Sequence, residues 1–309
     1  MRTLHNGMPF PERLESTLAS WDQSALTSDW LDSLPTVVSD LCRTWAIEID
    51  QVLPDTYITL VALGHSAELG PVVIKSSPLA HEFIAESTAL QLAASEHVPR
   101  LYYVDRMHSV MVMERIVPGT QLKNVAMSDE DATRLAAELV VAMWQAVPES
   151  SGLHPLVDWM SALFEWSPSS TRISQDLIAH AQEIGRLLLA KSTRICLLHG
   201  DLQHHNILQR SSGEWVIIDP KGLAGDPGYE VAAWMYNPPG IALRDDYAAI
   251  VECRVAIYSD VWDIEAQDLI SWAFVGSTLN ACWSSSDSAP DEWLQASLRS
   301  ARQLRAMID

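Results

Sequence analysis

The chain has 309 residues, of which 48% are hydrophobic and 19% are charged. This composition is typical of a globular protein, and the length suffices for one large domain or two lobes. Forty acidic against twenty basic residues give a formal charge of −20. That charge argues against nucleic acid and anionic membranes as partners, because both are bound by neutralising phosphates with Lys and Arg. A cationic small substrate is compatible with it, but a solvated acidic surface needs no ligand.

The cysteines and the apolar runs exclude further classes. Cys42, Cys196, Cys253 and Cys282 lie far apart without a Cys-x-x-Cys pair, so neither a zinc ribbon nor a disulfide scaffold is indicated. No stretch approaches the roughly 18 apolar residues of a membrane span, and the first residues contain no apolar signal core. We therefore expect a cytoplasmic protein.

The first third of the chain predicts a small sheet. Residues 1–35 indicate a helical lead-in whose aromatic residues, Trp21 and Trp30, dock on the main body, and 37–46 has helical spacing. Alternating or β-branched runs punctuated by Pro54-Asp55 and by Gly64 to Gly70 then predict three strands. They cover 47–52, 57–63 and 71–75.

The third strand ends in Lys75, and a helix with good propensity follows at 82–92. Glu82 and Glu86 lie one turn apart on that helix, on the same face. Either carboxylate could pair with Lys75, and the one not used would be solvated.

Two more strands, at 101–104 and 110–116, complete a five-stranded sheet before Pro118-Gly119 breaks the chain. We place the boundary between two lobes near residue 117. Beyond it, helices are expected from the N-cap Ser128 to about Ala146 and over four later segments. These are 173–190, 245–261, 264–283 and 291–307.

The most specific pattern is His199-Gly200-Asp201-Leu202, then Asn206-Ile207-Leu208, with Asp219-Pro220-Lys221 after an Ile/Val strand. The Asp, the Asn five residues later and the second Asp have the order of a kinase catalytic loop. A carboxylate can orient an acceptor hydroxyl and take its proton. Amide and carboxylate oxygens suit Mg²⁺.

A zinc hydrolase is the alternative for this stretch, because His199, His204 and His205 lie close together in sequence. Imidazole suits zinc, but no His-Glu-x-x-His or paired cysteine spacing accompanies the three histidines. The kinase interpretation is therefore favoured.

These motifs resemble the aminoglycoside phosphotransferase superfamily of kinase-like enzymes, which typically carry His-Gly-Asp. The continuation from Gly222 to Ala232 is similar to the streptomycin 6-phosphotransferase and hydroxyurea phosphotransferase group, and the resemblance extends over roughly 40–285. It implies an α+β, bilobal protein-kinase-like fold. A nucleotide-binding N-lobe would span 1–117, and a mainly helical C-lobe with the acceptor site would span 118–309.

The resemblance also implies ATP and Mg²⁺ as cofactors and assigns their contacts. Lys75 would hold the α/β phosphates, positioned by Glu86, because Glu86, Ala89 and Leu90 match the Glu-x-x-Ala-Leu pattern of the family. Asp201 would be the catalytic base. The remaining assignments are metal ligands at Asn206 and Asp219 and backbone contacts to adenine at Glu114 and Ile116.

His199 is expected to support the loop backbone. Two points stay open. Lys221 could face the transferring phosphate or form a structural salt bridge. The turn Leu53–Thr59 contains no glycine, so the glycine-rich phosphate cover of protein kinases is missing. Thr56, Thr59 or backbone amides could replace it.

The implied function is phosphorylation of an aminoglycoside hydroxyl, as in streptomycin, or of hydroxyurea, which inactivates the antibiotic. Acidic acceptor contacts are expected at Asp226 and Glu230, with Asp245 and Asp246 as further candidates, and some of the twelve tryptophans could line the acceptor pocket. The alternatives are a kinase of another metabolic alcohol or amino sugar and a non-catalytic nucleotide-binding module. A protein kinase is disfavoured, because residues 219–230 lack Ala-Pro-Glu. The oligomeric state is not predicted.

Overall fold

A five-stranded antiparallel sheet dominates the N-terminal part of the computed structural model, in the order β1-β2-β3-β5-β4. The structure describes residues 3–4, 7–19, 24–54, 56, 58–148, 151–166, 172–286 and 291–308. The predicted α+β class, with a sheet first and helices after it, is confirmed. The elements of the N-terminal part are α1 (Glu12–Ala19), α2 (Ser24–Thr44), β1 (Ile47–Val52), β2 (Leu60–Ser66), β3 (Gly70–Ser76), α3 (Ala80–Leu92), β4 (Leu101–Asp105) and β5 (Val110–Glu114).

Strand β2 begins later and ends later than the pattern predicted. It starts at Leu60 and continues through Gly64 to Ser66, so the turn expected from Gly64 onwards is shorter. Gly64 serves close approach between strands, because a Cβ there would lie 2.4 Å from the carbonyl oxygen of Glu48. Glycine inside a strand often has this meaning. Asp55 and Tyr57, part of the predicted turn and strand, lie outside the described residues.

Helix α2 is longer than the predicted 37–46 and runs through Pro35. Leu31, Leu34, Val38 and Leu41 are buried at helical spacing on both sides of the proline. This continuous apolar stripe outweighs the missing N–H of the proline. The stripe packs with the sheet in one apolar cluster.

As predicted, Trp30 of the N-terminal lead-in contacts the sheet. The indole Nε1 of Trp30 donates to the hydroxyl of Ser76, 3.1 Å away. Trp21 lies outside the described residues.

Helices and two small three-stranded sheets form the second part of the chain. Strand β9 pairs with β6 and β10, and β11 pairs with β7 and β8. Its elements are β6 (Pro118–Gln121), α4 (Asp129–Val141), β7 (His154–Pro155), α5 (Leu156–Trp159), α6 (Ser161–Phe164), α7 (Gln175–Lys191), β8 (Cys196–Leu198), β9 (Ile207–Arg210), β10 (Trp215–Ile217), β11 (Leu223–Gly225), α8 (Val231–Met235), α9 (Tyr247–Trp262), α10 (Ala266–Ser286) and α11 (Asp291–Ile308).

The predicted C-terminal helices are present with shifted ends. Ser128 caps α4 through a hydrogen bond from the Asp131 N–H, but that helix ends at Val141 rather than near Ala146. Helix α10 crosses the core, where Trp272, Phe274 and Leu279 are almost completely buried. None of the helices in the described ranges has the length and apolarity that a membrane crossing requires.

The link between the two parts runs from Glu114 to Pro118. Strand β5 ends in the first sheet at Glu114, whereas β6 begins at Pro118 and pairs with β9. The change of sheet partner between these residues supports a lobe boundary at residue 117, which we retain as a proposal.

Candidate active site

His199 fixes the loop that follows β8. Its Nε2 lies 2.9 Å from the Ile218 carbonyl oxygen, and its Nδ1 accepts the N–H of Asp201 at 3.2 Å. These partners require a proton on Nε2 and a lone pair on Nδ1, which is the neutral imidazole. Burial favours the same form and lowers the pKa of His199 to about 4. The histidine thus ties the first half of the motif to Ile218, the residue before Asp219.

Gly200 is required by the turn between His199 and Asp201. Its φ is +77°, and a Cβ there would lie 2.6 Å from the Cδ1 of Leu223. A side chain would combine left-handed backbone strain with a clash against β11. The His-Gly-Asp sequence therefore has a local steric cause.

Glu230 stabilises the same turn and does not line the cavity that opens on Asp201, described below. It is 1% exposed, and its carboxylate accepts the N–H groups of His199 and Gly200. Burial raises the pKa of Glu230 to about 7. The expectation that Glu230 contacts the acceptor directly is not supported by this position, because its oxygens are committed to backbone donors.

Asp226 is likewise committed, to the N–H of Gly228 at 2.8 Å as a helix cap. Asp246 pairs with Arg244. None of the four acidic residues expected at the acceptor lies in the wall of the cavity described below.

Asp201 is held in place by its own loop. Gln203 Nε2 donates to both carboxylate oxygens at 3.0 and 3.1 Å, and Asn206 Nδ2 donates to the Asp201 carbonyl at 2.9 Å and to Oδ2 at 3.3 Å. Burial raises the pKa of Asp201 to about 6, although the ammonium group of Lys221 opposes this shift. A carboxylate with this pKa is ionised at neutral pH and is a stronger base than an ordinary aspartate.

Lys75, Glu86 and Asp219 form a cluster between the sheet and the catalytic loop. Lys75 Nζ lies 2.5 Å from Glu86 Oε1 and also donates to Asp219 Oδ1. Burial would lower the pKa of Lys75, but the Asp219 and Glu86 carboxylates outweigh it and raise that pKa. The lysine is therefore charged, and Glu86 rather than Glu82 is its partner on α3.

Lys221 stands between the two aspartates. Its Nζ lies 3.2 Å from Asp219 Oδ2 and 3.9 Å from Asp201 Oδ2. The Asp219 carboxylate is the main cause of the raised pKa of Lys221. Burial would raise the pKa of Asp219, but Lys221 and Lys75 together hold it well below its usual range. Asp219 has a φ of +62°, which aspartate tolerates better than most residues.

The donor set fits a hard cation better than zinc. Because Asn206 uses its Nδ2 on Asp201, its Oδ1 is the atom left for a ligand, and Asp219 is ionised. One amide and one carboxylate oxygen suit Mg²⁺, which completes its shell with water and phosphates. The described residues contain no group of three or more His, Cys, Asp and Glu that could hold a metal. His204 instead stacks on Trp234 at 3.9 Å.

The two residues expected at adenine differ in how their groups are used. The backbone N–H of Glu114 donates to the Arg100 carbonyl oxygen at 2.8 Å, and its side chain binds Arg210 through two hydrogen bonds. The N–H of Ile116 has no acceptor within the described part of the chain. It is therefore available for a purine nitrogen, as the prediction requires.

The turn before β2 contains a buried hydroxyl. Thr56 Oγ1 is buried, and the described residues give it no hydrogen-bond partner. A buried hydroxyl without a partner is costly, so of the three alternatives (Thr56, Thr59 or backbone amides) Thr56 has a hydroxyl left for a phosphate.

A cavity of about 1150 Å³ opens on Asp201. Its wall combines carboxylates from both parts of the chain with three indole rings; these residues are Glu82, Asp158, Asp201, Glu292, Trp159, Trp283 and Trp293. Lys221 is its only lysine or arginine among the described residues, and Asp219 neutralises it. Burial lowers the pKa of His154 and of His205 on this wall, which favours their neutral forms. The cavity is therefore anionic and aromatic.

Residues 44–288 match the family model described as aminoglycoside/hydroxyurea antibiotic resistance kinase. The chain belongs to this family. The predicted group and the predicted enzyme class, a phosphotransferase acting on an alcohol group, are thereby confirmed.

Individual relatives of this kinase are distant. It is 30% identical to a streptomycin 3''-kinase of Klebsiella pneumoniae over 56% of the chain, and this match spans only 65% of that relative. It is 26% identical to a streptomycin 6-kinase of Streptomyces glaucescens over 84% of the chain and 85% of that relative. Among solved structures, an aminoglycoside phosphotransferase in complex with ADP and hygromycin B has a TM-score of 0.65 at 16% identity, covering 88% of this chain and 98% of that one. This likeness shows the protein-kinase-like fold.

The cavity wall is the part of this kinase that sequence reasoning missed. Glu82 was the alternative partner for Lys75, yet it lies in this wall, one turn from Glu86. The abundance of tryptophan was the available signal, but Trp159, Trp283 and Trp293 could not be singled out because they are far apart in sequence.

Proposed function

We propose that this kinase transfers the γ-phosphate of ATP, with Mg²⁺, to a hydroxyl of a cationic, multi-ring aminoglycoside, of which streptomycin is the first to test. The observation that carries the proposal is the anionic, tryptophan-lined cavity that opens directly on Asp201. Such a transfer would inactivate the antibiotic by modifying it covalently.

The volume of the cavity favours a large acceptor. At about 1150 Å³, it is larger than the roughly 300–1,000 Å³ that is usual for small-molecule sites. Hydroxyurea, a molecule of a few atoms, would leave most of it filled with water and would contact little of its wall. A trisaccharide-sized ligand can reach the wall and the base at the same time.

The charge of the cavity favours a cation. Glu82, Asp158 and Glu292 lie in the wall and form no salt bridge with a described residue. Guanidinium and ammonium groups can pair with these carboxylates and stack on the indole rings. Streptomycin carries two guanidino groups and a secondary amine, which this wall matches.

The residues around Asp201 supply the chemistry of transfer. Asp201, oriented by Gln203 and Asn206, would hold the acceptor hydroxyl in line and take its proton. Lys75 would contact the α/β phosphates while Glu86 holds its side chain. Asn206 Oδ1 and the Asp219 carboxylate would hold Mg²⁺, which neutralises charge on the phosphate oxygens. Lys221 lies where its charge can stabilise the transferring group.

The position on the acceptor is best supported as the 6-hydroxyl of the diguanidino ring. The match to the streptomycin 6-kinase extends over 84% of the chain, against 56% for the 3''-kinase.

The experiment is an ATP-consumption assay with Mg²⁺ across streptomycin, other aminoglycosides, simple sugars and hydroxyurea, run beside Asp201→Ala. Turnover with streptomycin that is lost in Asp201→Ala would support the proposal. So would an NMR spectrum of the product in which the signals of position 6 show coupling to phosphorus. Turnover only with small alcohols would overturn the acceptor class. Nucleotide binding without any turnover would favour the non-catalytic module.

A further inference from the structure

Helix α11 supplies part of the acceptor cavity although it lies outside the family match. The family model ends at residue 288, whereas α11 spans Asp291–Ile308. Glu292, Trp293, Ala296 and Ser297 of this helix line the cavity. Their spacing of one and four residues places them on one helical face. The motifs shared by the family therefore do not determine the part of the cavity wall that α11 supplies.

The buried residues of α11 anchor the helix to the core. Leu294, Leu298 and Leu304 are at most 1% exposed. The Ser300 hydroxyl lies 2.7 Å from the Tyr247 hydroxyl and 2.9 Å from the Ser277 hydroxyl. The face toward the cavity is therefore presented by a fixed helix rather than by a loop.

The cavity face of α11 has the composition of a recognition surface. The Trp293 side chain is 48% exposed, which is costly for a large ring unless a ligand covers it. Glu292 is exposed beside it and forms no salt bridge with a described residue. The short side chains of Ala296 and Ser297 also line the cavity, and the Ser297 hydroxyl accepts from Asn280 Nδ2 at 2.7 Å.

We propose that Glu292 and Trp293 form a subsite, the α11 subsite, that binds a cationic group of the acceptor other than the ring carrying the reacting hydroxyl. The indole would cover one side of the cation and the carboxylate would pair with it. This makes α11 the element that selects multi-ring acceptors over small ones. The inference rests on the proposed function, since it assumes that the acceptor occupies this cavity.

The test measures streptomycin binding by calorimetry together with turnover. The variants are Glu292→Gln, Trp293→Ala and Trp293→Phe. The controls are Glu138→Gln on α4 and Leu187→Ala on α7, which remove an exposed carboxylate and an exposed apolar side chain away from the cavity. ADP binding is measured on every variant, because the α11 subsite is separate from the cluster of Lys75, Glu86 and Asp219 that is proposed to contact the nucleotide.

We expect Glu292→Gln and Trp293→Ala each to weaken streptomycin binding about three- to fivefold, the upper part of the range for exposed charge and cation–π contacts. KM for streptomycin should rise in parallel while kcat stays within twofold. Trp293→Phe should retain part of the affinity, since it keeps an aromatic face. The controls and the ADP affinity should not change, and turnover of a small acceptor should be unaffected in all variants.

Streptomycin affinities within twofold of the unmodified chain in both variants would overturn the inference, as would equal losses for large and small acceptors. If the unmodified chain binds no streptomycin but phosphorylates another acceptor, the α11 subsite falls and the kinase function stands. If streptomycin binds in a Glu292-dependent manner without being phosphorylated, the subsite stands and the proposed function falls.

Discussion

The ammonium nitrogen of Lys221 lies 3.9 Å from Oδ2 of Asp201 and 3.2 Å from Oδ2 of Asp219. One cation thus faces both the proposed base and the proposed metal ligand, and both interpretations of Lys221 left open by the sequence have a structural basis. Lys221 forms a salt bridge with Asp219, and its position in the cavity wall also lets it reach a phosphate.

The first prediction concerns pH. A base acts in its ionised form, and burial raises the pKa of Asp201 to about 6. The value of kcat/KM for the acceptor should therefore be constant above pH 7 and fall about tenfold per unit below pH 6. Lys221→Met removes a charge that favours the carboxylate, so the acid limb should move to higher pH. Lys191→Met, which removes a surface lysine paired with Asp268, should leave the limb in place, and an unmoved limb in Lys221→Met would contradict the coupling.

The second prediction concerns the base itself. Asp201→Asn keeps the shape of the side chain and can still accept from Gln203, but it cannot take a proton. Turnover should fall by at least about 100-fold, as is usual for removal of a positioned base. Calorimetric affinity for ADP should stay within twofold of the unmodified protein. A variant that retains more than a tenth of the turnover would exclude Asp201 as the base.

The third prediction separates two costs at Gly200. A Cβ at this position meets Leu223 as well as an unfavourable φ, whereas Gly213 has a φ of +93° and no atom within 4 Å of a Cβ. Gly213→Ala should lose about 1 kcal/mol in the free energy of unfolding, and Gly200→Ala should lose clearly more, about 2–4 kcal/mol. Urea denaturation of both variants measures the difference. Equal losses would mean that Leu223 moves aside.

The fourth prediction concerns Glu230. Its pKa in the folded chain, about 7, lies above its ordinary value, so its contribution to stability is complete below about pH 4.5 and is lost as pH rises through 7. Between pH 5 and 8 the free energy of unfolding should fall by up to about 3 kcal/mol more in the unmodified chain than in Glu230→Gln. Glu138→Gln on the surface of α4 provides the control and should follow the unmodified chain. Parallel curves for Glu230→Gln would show that Glu230 is ionised throughout this range.

The catalytic loop could be predicted because its chemistry lies within a short segment. The loop between β8 and β9 contains His199, Gly200, Asp201 and Asn206. Each of these residue types has a local reason to be there. Asp219 follows within the next hairpin. The five strands of the first sheet were equally accessible, because each is a short apolar run bounded by turn residues. Their spatial order was not, since β5 lies between β3 and β4.

The acceptor wall could not be predicted because it is assembled from distant elements. Glu82, Asp158, Trp283 and Glu292 come from α3, α5, α10 and α11, and no spacing rule connects them. The sequence also predicted that Glu230 contacts the acceptor, whereas its carboxylate binds backbone N–H groups of the catalytic loop. A carboxylate near the motif can serve the backbone of the loop as readily as a ligand, and only burial distinguishes the two.

Helix α3 carries two carboxylates one turn apart that serve different sites. Glu86 holds Lys75, while Glu82 lies in the acceptor cavity. A helix moves as a rigid rod over so short a distance, so a shift that improves one contact also displaces the other. We therefore expect a ligand at either site to change the affinity of the other, by the same factor in both directions. A single turn of α3 would then couple the binding of the two substrates.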